Sequence, residues 1–132
     1  MKNLVDRSFT STKKWKDLEK IVKATEDHCY LCGGFVDVFL PRYMKTEDGE
    51  FFVDFETGKK KINPASPEIE HLNPIARGGD PLDRNNLRLV HAICNNKKGD
   101  RFLSEIDRKS FVSPVVRSED FERAGRQRTW LE

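Results

Sequence analysis

Apolar positions along this chain switch between helical spacing and shorter strand-like runs, and the switches mark its elements. Trp15, Leu18, Ile21 and Val22 recur at helical spacing behind Ser11 or Thr12, which predicts a helix over residues 11–26 with one buried stripe and a lysine-covered outer face. Phe35 to Leu40 and Phe51 to Phe55 read as strands joined by a loop holding Glu47-Asp48-Gly49-Glu50, and predict a β-hairpin insert. Its partly aromatic faces need something to pack against. Gly58 to Pro67 predicts a loop, after which a short strand ends at His71 and a long irregular loop runs through Gly78-Gly79-Asp80. A second strand follows near Leu87 to Val90, then a helix from about His91 to Lys98 that Gly99 ends. Phe102, Leu103 and Ile106, then Ser113-Pro114 and a helix capped by Ser118, predict a wrapping tail over 101–132.

Composition narrows this to one α+β domain over residues 1–132, with its core at about 28–100. With 36 % apolar residues and a mean hydropathy of -0.71, the core is small under a heavily charged surface, and such a core profits from a staple. Three cysteines cannot all pair, and no basic segment followed by an apolar run opens the chain. The expected setting is therefore a reducing cytoplasm without a disulfide framework. No apolar run approaches the roughly 20 residues that span a bilayer, so a membrane is not an expected partner. Charge is segregated: residues 1–23 carry seven Lys/Arg against three Asp/Glu, and residues 24–70 carry five against ten. Basic flanks suit a polyanion, and Lys13, Lys14, Lys16 and Lys20 could meet phosphates, although a charge run is more often only a solvated face.

The chemistry concentrates in two places. Cys29-x-x-Cys32 and His91-x-x-Cys94 have the spacing of a four-ligand zinc site, with Gly33 and Gly34 free to turn backbone amides toward thiolates. The cysteines could instead be buried small hydrophobes, but the coupling of the two pairs favours zinc. The stretch from Pro67 to Asp100 adds the pair Glu70-His71 and the asparagines Asn86 and Asn95, parts suited to metal-assisted phosphodiester hydrolysis. A histidine at neutral pH can take a proton from water, and a hard cation on oxygen ligands can neutralise the developing charge. Asn86 and Asn95 taken singly are also ordinary turn and helix-end residues. His28 matches no motif and reads as a surface residue or a support to its neighbours, and Trp15 and Trp130 read as packing residues rather than base-stacking platforms.

Jointly these residues resemble the HNH nuclease family, the ββα-metal or His-Me finger group, in its zinc-stapled subset. The resemblance rests on Cys29-x-x-Cys32, Glu70-His71-x-x-Pro74, Gly78-Gly79, Asn86-Leu87 and His91-x-x-Cys94-Asn95-x-x-Lys98-Gly99. It implies an endonuclease in an H-N-N variant: His71 as general base at a solvent-facing strand end, Asn86 ordering the loop, and Glu70 with Asn95 holding a catalytic divalent cation. The family more often has Asp where Glu70 stands, and Asn95 in place of His favours magnesium or manganese. The implied partner is double-stranded DNA, with Arg77, Arg88, Lys97, Lys98 and Arg101 as phosphate contacts. Two alternatives are a non-catalytic zinc-stapled nucleic-acid-binding module and an adaptor that binds protein through the aromatic insert.

Overall fold

Thr12 starts helix α1 (Lys13–Thr25) by accepting the Trp15 amide at 3.2 Å, in a computed structural model that describes residues 7–115. Trp15 and Val22 are buried and Leu18 packs beside them, but Ile21 is 47 % exposed. A step of about 100° per residue carries Ile21 off the buried stripe, which is narrower than its spacing predicts. Glu26 caps the helix end and ties it to the sheet, accepting the Leu89 amide at 3.0 Å and the Arg84 guanidinium at 2.9 Å.

The sheet has two antiparallel strands, β1 (Pro67–His71) and β2 (Leu87–His91), with Glu70 opposite Arg88 and His71 opposite Leu87. The far edge of β2 is occupied by Glu26 and by the Tyr30 amide, which donates to Leu89 O at 2.9 Å. The outer edge of β1 carries no strand among the described residues. Strand alternation puts Ile69, His71, Leu87 and Leu89 on one face and Glu68, Glu70, Arg88 and Val90 on the other. Helix α1 covers the first face, where Trp15 stacks on His71. Helix α2 (Ala92–Lys98) serves the second, where Lys98 reaches Glu70, and Gly99 at φ 60° ends it.

The core joins Val22, Leu31, Val36, Leu87, Leu89 and Val90 to Cys29 and Cys94. The tail closes over it through short 3-10 turns at Leu103–Glu105 and Arg108–Ser110 that deliver the buried Phe111. The tail helix expected after Ser118 and the residue Trp130 lie outside the described residues. No helix among the described residues is long and apolar enough to cross a membrane.

The insert differs from its expected hairpin. Phe35 bridges His28 across the cysteine turn, and the chain then folds on Asp37, whose carboxylate accepts the Phe39 amide at 3.0 Å. The partner of 50–54 is therefore not 35–40 but the arms 42–46 and 59–63. Met44 N donates to Lys61 O (3.0 Å), Lys61 N to Phe52 O (2.9 Å) and Phe52 N to Met44 O (3.1 Å), a closed triangle of backbone bonds. Gly49 and Gly58, at φ 83° and 72°, make the two connecting turns in a conformation that other residues adopt poorly.

Candidate active site and metal centre

The cysteine turn, the end of β2 and the first turn of α2 bring Cys29, Cys32, His91 and Cys94 together, with their ligand atoms all within 4.8 Å of one another. His91 Nε2 donates to Phe35 O at 2.7 Å, which leaves Nδ1 as the lone-pair nitrogen, 3.3 Å from Cys32 Sγ. Backbone amides of Cys32 and Gly34 lie at 3.5 and 3.4 Å from the Cys29 and Cys32 sulfurs, positions that stabilise thiolates. The thiols compete for charge. The hydrogen bond from Cys94 pulls the Cys29 thiol down to about 3, while that same bond and burial push the Cys94 thiol up. Three adjacent sulfurs cannot shed their protons together without a cation among them, so the set fits a tetrahedral zinc ion by number, composition and spacing.

A cleft of about 650 Å³ opens beside β1. Glu68, Ile69, Glu70 and His71, four consecutive residues, all line it, as a cleft along the outer strand edge requires. This resolves the opposite faces of Glu70 and His71: at an edge both reach the same space. His71 is not the solvent-facing residue expected from sequence. It is 7 % exposed, stacked on Trp15 (centroids 5.6 Å apart, rings 13° from parallel) and met edge-on by Phe9 at 5.7 Å. Its Nε2 lies 3.1 Å from Pro81 O, and a carbonyl accepts only, so the neutral ring carries its proton there and its lone pair on Nδ1. Burial holds the imidazole below its ordinary pKa, partly offset by the Pro81 carbonyl.

Pro81 is placed by Asn86. The Asn86 side chain accepts the Asn73 amide at 2.7 Å and donates to Asn73 O at 3.0 Å and Asp80 O at 3.2 Å, clamping both limbs of the loop after β1. Between those limbs a side chain on Gly79 would put its Cβ 1.8 Å from Asn73 O, a backbone atom that cannot step aside. Gly79→Ala is therefore expected to destabilise the domain at or beyond the top of the roughly 1–3 kcal/mol range typical of overpacking. Chemical denaturation of the two proteins measures this, and equal midpoints and slopes would contradict the clamp geometry.

Glu70 is also buried. Its Oε1 accepts the His71 amide at 2.7 Å, while Oε2 is buried without a hydrogen bond; the Lys98 ammonium stands 3.2 Å away as an ion pair without hydrogen-bond alignment. Burial raises the carboxyl above the usual range, and Lys98 opposes that. A divalent cation on Oε2 would take over the charge compensation that the Lys98 ammonium supplies. Asn95 lines the same cleft, and its Nδ2 donates to Glu68 Oε1 at 2.7 Å, which turns its carbonyl oxygen away from Glu68. Glu68, held in turn by Arg42 at 2.9 Å, is a site residue that sequence reasoning missed, although it stands two residues before Glu70 and so on the same strand face.

Residues 57–101 match the model of the HNH endonuclease family. That segment is similar to an HNH domain. No curated protein and no solved structure matches the chain. The matched HNH segment holds Glu70, His71, Asn86, Asn95, His91 and Cys94, whereas Cys29, Cys32 and Trp15 precede it.

Of the basic residues expected at phosphates, Arg77, Lys97 and Arg101 are exposed and Arg88 is half-buried, and only Lys98 is withdrawn from the surface. Lys98 is fully buried on Glu70, with His71 O 3.4 Å from its ammonium, and is closed to a nucleic acid. Cys94 and Lys98 share a helix face, so the burial of one predicts that of the other. Arg101 caps α2 by donating to Lys97 O and Lys98 O, Lys97 donates to Ser110 O over the Phe111 ring, and Arg77 pairs with Glu105 over Phe102. Arg88 donates to Leu87 O and lies over Tyr30, by the cysteine turn. Among the described residues, the cations that line the cleft are Arg7 and Arg42.

Proposed function

We propose that this HNH domain hydrolyses phosphodiester bonds in DNA, with His71 as general base and Glu70 and Asn95 as ligands of a catalytic magnesium or manganese ion. The observation that carries this reading is the state of His71: Nε2 is committed to Pro81 O, so the ring is held in the tautomer whose Nδ1 can take a proton. Its lowered pKa keeps that nitrogen unprotonated at neutral pH. Trp15 and Phe9 fix the plane of the ring and exclude water from its face, and Asn86 fixes the loop against which it is held. A water in the cleft would pass its proton to Nδ1 while its oxygen attacks phosphorus. Glu70 offers an oxygen with no other hydrogen bond, and Glu68 orients the Asn95 amide. A bound divalent cation supplies charge neutralisation at the phosphate and the leaving oxygen. Arg7 and Arg42 are the candidate phosphate contacts.

The ion pair between Lys98 and Glu70 favours a second reading, in which the ammonium takes the place of a cation and the domain is a zinc-stapled nucleic-acid-binding module without catalysis. Supercoiled plasmid separates the two. Nicking by the zinc-loaded protein that depends on added Mg²⁺ or Mn²⁺ is the expected result; binding that never leads to nicking with either ion would establish the module instead.

A further inference from the structure

The insert presents a face that neither the zinc set nor the cleft uses. Directly opposed pairs in its three arms are Tyr43 with Ile62, Lys45 with Phe51, and Val53 with Lys60. Opposed residues share a face and alternate residues repeat it, so all six point the same way. Four are large apolar or aromatic side chains, and Phe51, Val53 and Ile62 are 37 %, 46 % and 43 % exposed. Buried packing does not explain them. The cations are aimed at the rings: the Lys60 ammonium lies 4.0 Å from the Phe51 ring centroid and 5.4 Å from that of Tyr43, and Lys45 lies 4.9 Å from Phe51. This face reaches the cleft at Ile62, which lines the same space as Glu70, His71 and Asn95.

We infer that this face binds unpaired bases of a DNA strand next to the scissile phosphate, so that the preferred substrate contains a single-stranded segment. The inference rests on the nucleic-acid reading above and names the form of the polymer. Charge decides against duplex as the occupant here. Residues 42–63 carry five Lys/Arg and five Asp/Glu, with the acids confined to the turn regions 47–50 and 54–56, so the insert has no net attraction for a dense double row of phosphates. Exposed rings interleaved with a few cations are instead what a single strand needs: each base has a face to stack on an aromatic ring, and its backbone meets an isolated ammonium. The four-carbon stem of Lys60 lets its ammonium swing from the Phe51 ring to a phosphate as a base takes its place.

Fluorescence anisotropy with labelled oligothymidylate, and with a duplex of equal length, tests this on the zinc-loaded protein without added magnesium, so that nothing is cleaved. Phe51→Leu and Tyr43→Leu are each expected to weaken single-strand binding about tenfold while changing duplex binding less than about twofold, and Phe51→Trp is expected to restore it. Leucine fills the space of a packing residue, so a structural role would not produce that pattern. Unchanged melting temperature and zinc content show that the insert folds in each variant. No measurable binding of oligothymidylate by the wild type, equal losses on both ligands, or a wild-type dimer that Phe51→Leu dissociates would each overturn the inference. The nuclease reading fails on a different result: His71→Gln should keep full oligothymidylate affinity, while the plasmid assay judges catalysis.

Discussion

Glutamine at position 71 is expected to remove cleavage, by about 100-fold or more, from a protein that still folds and binds zinc. The choice of residue follows from the burial of His71. Alanine would open a cavity between Trp15 and Phe9, and large-to-small changes in a core cost about 2–5 kcal/mol, so lost activity could reflect lost structure. Glutamine retains much of the volume, and its amide nitrogen can still donate to Pro81 O as Nε2 does. What it lacks is a basic nitrogen at the position of Nδ1. The companion His71→Ala protein, assayed with imidazole in solution, should regain part of its rate, since the cavity has the shape of the missing ring. Cleavage by His71→Gln within about tenfold of wild type would leave too small a barrier for proton transfer and would remove His71 from its assigned role.

Cys94→Ser is expected to have the largest effect on stability. Structural zinc binding contributes roughly 10–16 kcal/mol of apparent free energy in small domains at neutral pH, far more than a core of this size can replace. The variant should lose zinc by elemental analysis and either melt tens of degrees lower or fail to fold. Activity should vanish with it, because Asn95 follows Cys94 on α2 and Lys98 lies one turn further on. Asn95→Ala separates the two metals. It removes one hydrogen bond to Glu68, worth about 0.5–1.5 kcal/mol, and should melt near wild type while cleavage falls. Wild-type zinc content and melting in Cys94→Ser would refute the staple.

Much of this arrangement is legible in the chain. The cap at Thr12, the strand ending at His71, the second strand and the helix stopped by Gly99 follow from local rules, and the meeting of Cys29, Cys32, His91 and Cys94 follows from spacing. The rest depends on contacts that local rules do not express. Phe35 to Leu40 has strand composition but is bent by Asp37 straight after the cysteine turn, whereas the two positive-φ glycines at 49 and 58 were the signal for three short arms. Phe9 is a lone aromatic in a polar stretch, and only the folded chain shows it against His71. Lys98 has the appearance of a surface cation in a basic run, and its burial becomes visible once Cys94, four residues earlier, is known to face inward.

The edge position of the cleft has a consequence for where this domain can be cut or varied. His71 leans on Phe9 and Trp15, whereas Glu68 and Glu70 lean on α2 through Asn95 and Lys98, so the two sides of the cleft have different supports joined through the sheet. A graft of residues 57–101 alone would carry Glu70, His71, Asn86 and Asn95 without the wall that holds the imidazole. Conversely, changes at Phe9 or Trp15 would alter the setting of the imidazole while Glu68, Glu70 and Asn95 keep their contacts with α2, which gives so small a domain two separate points of adjustment.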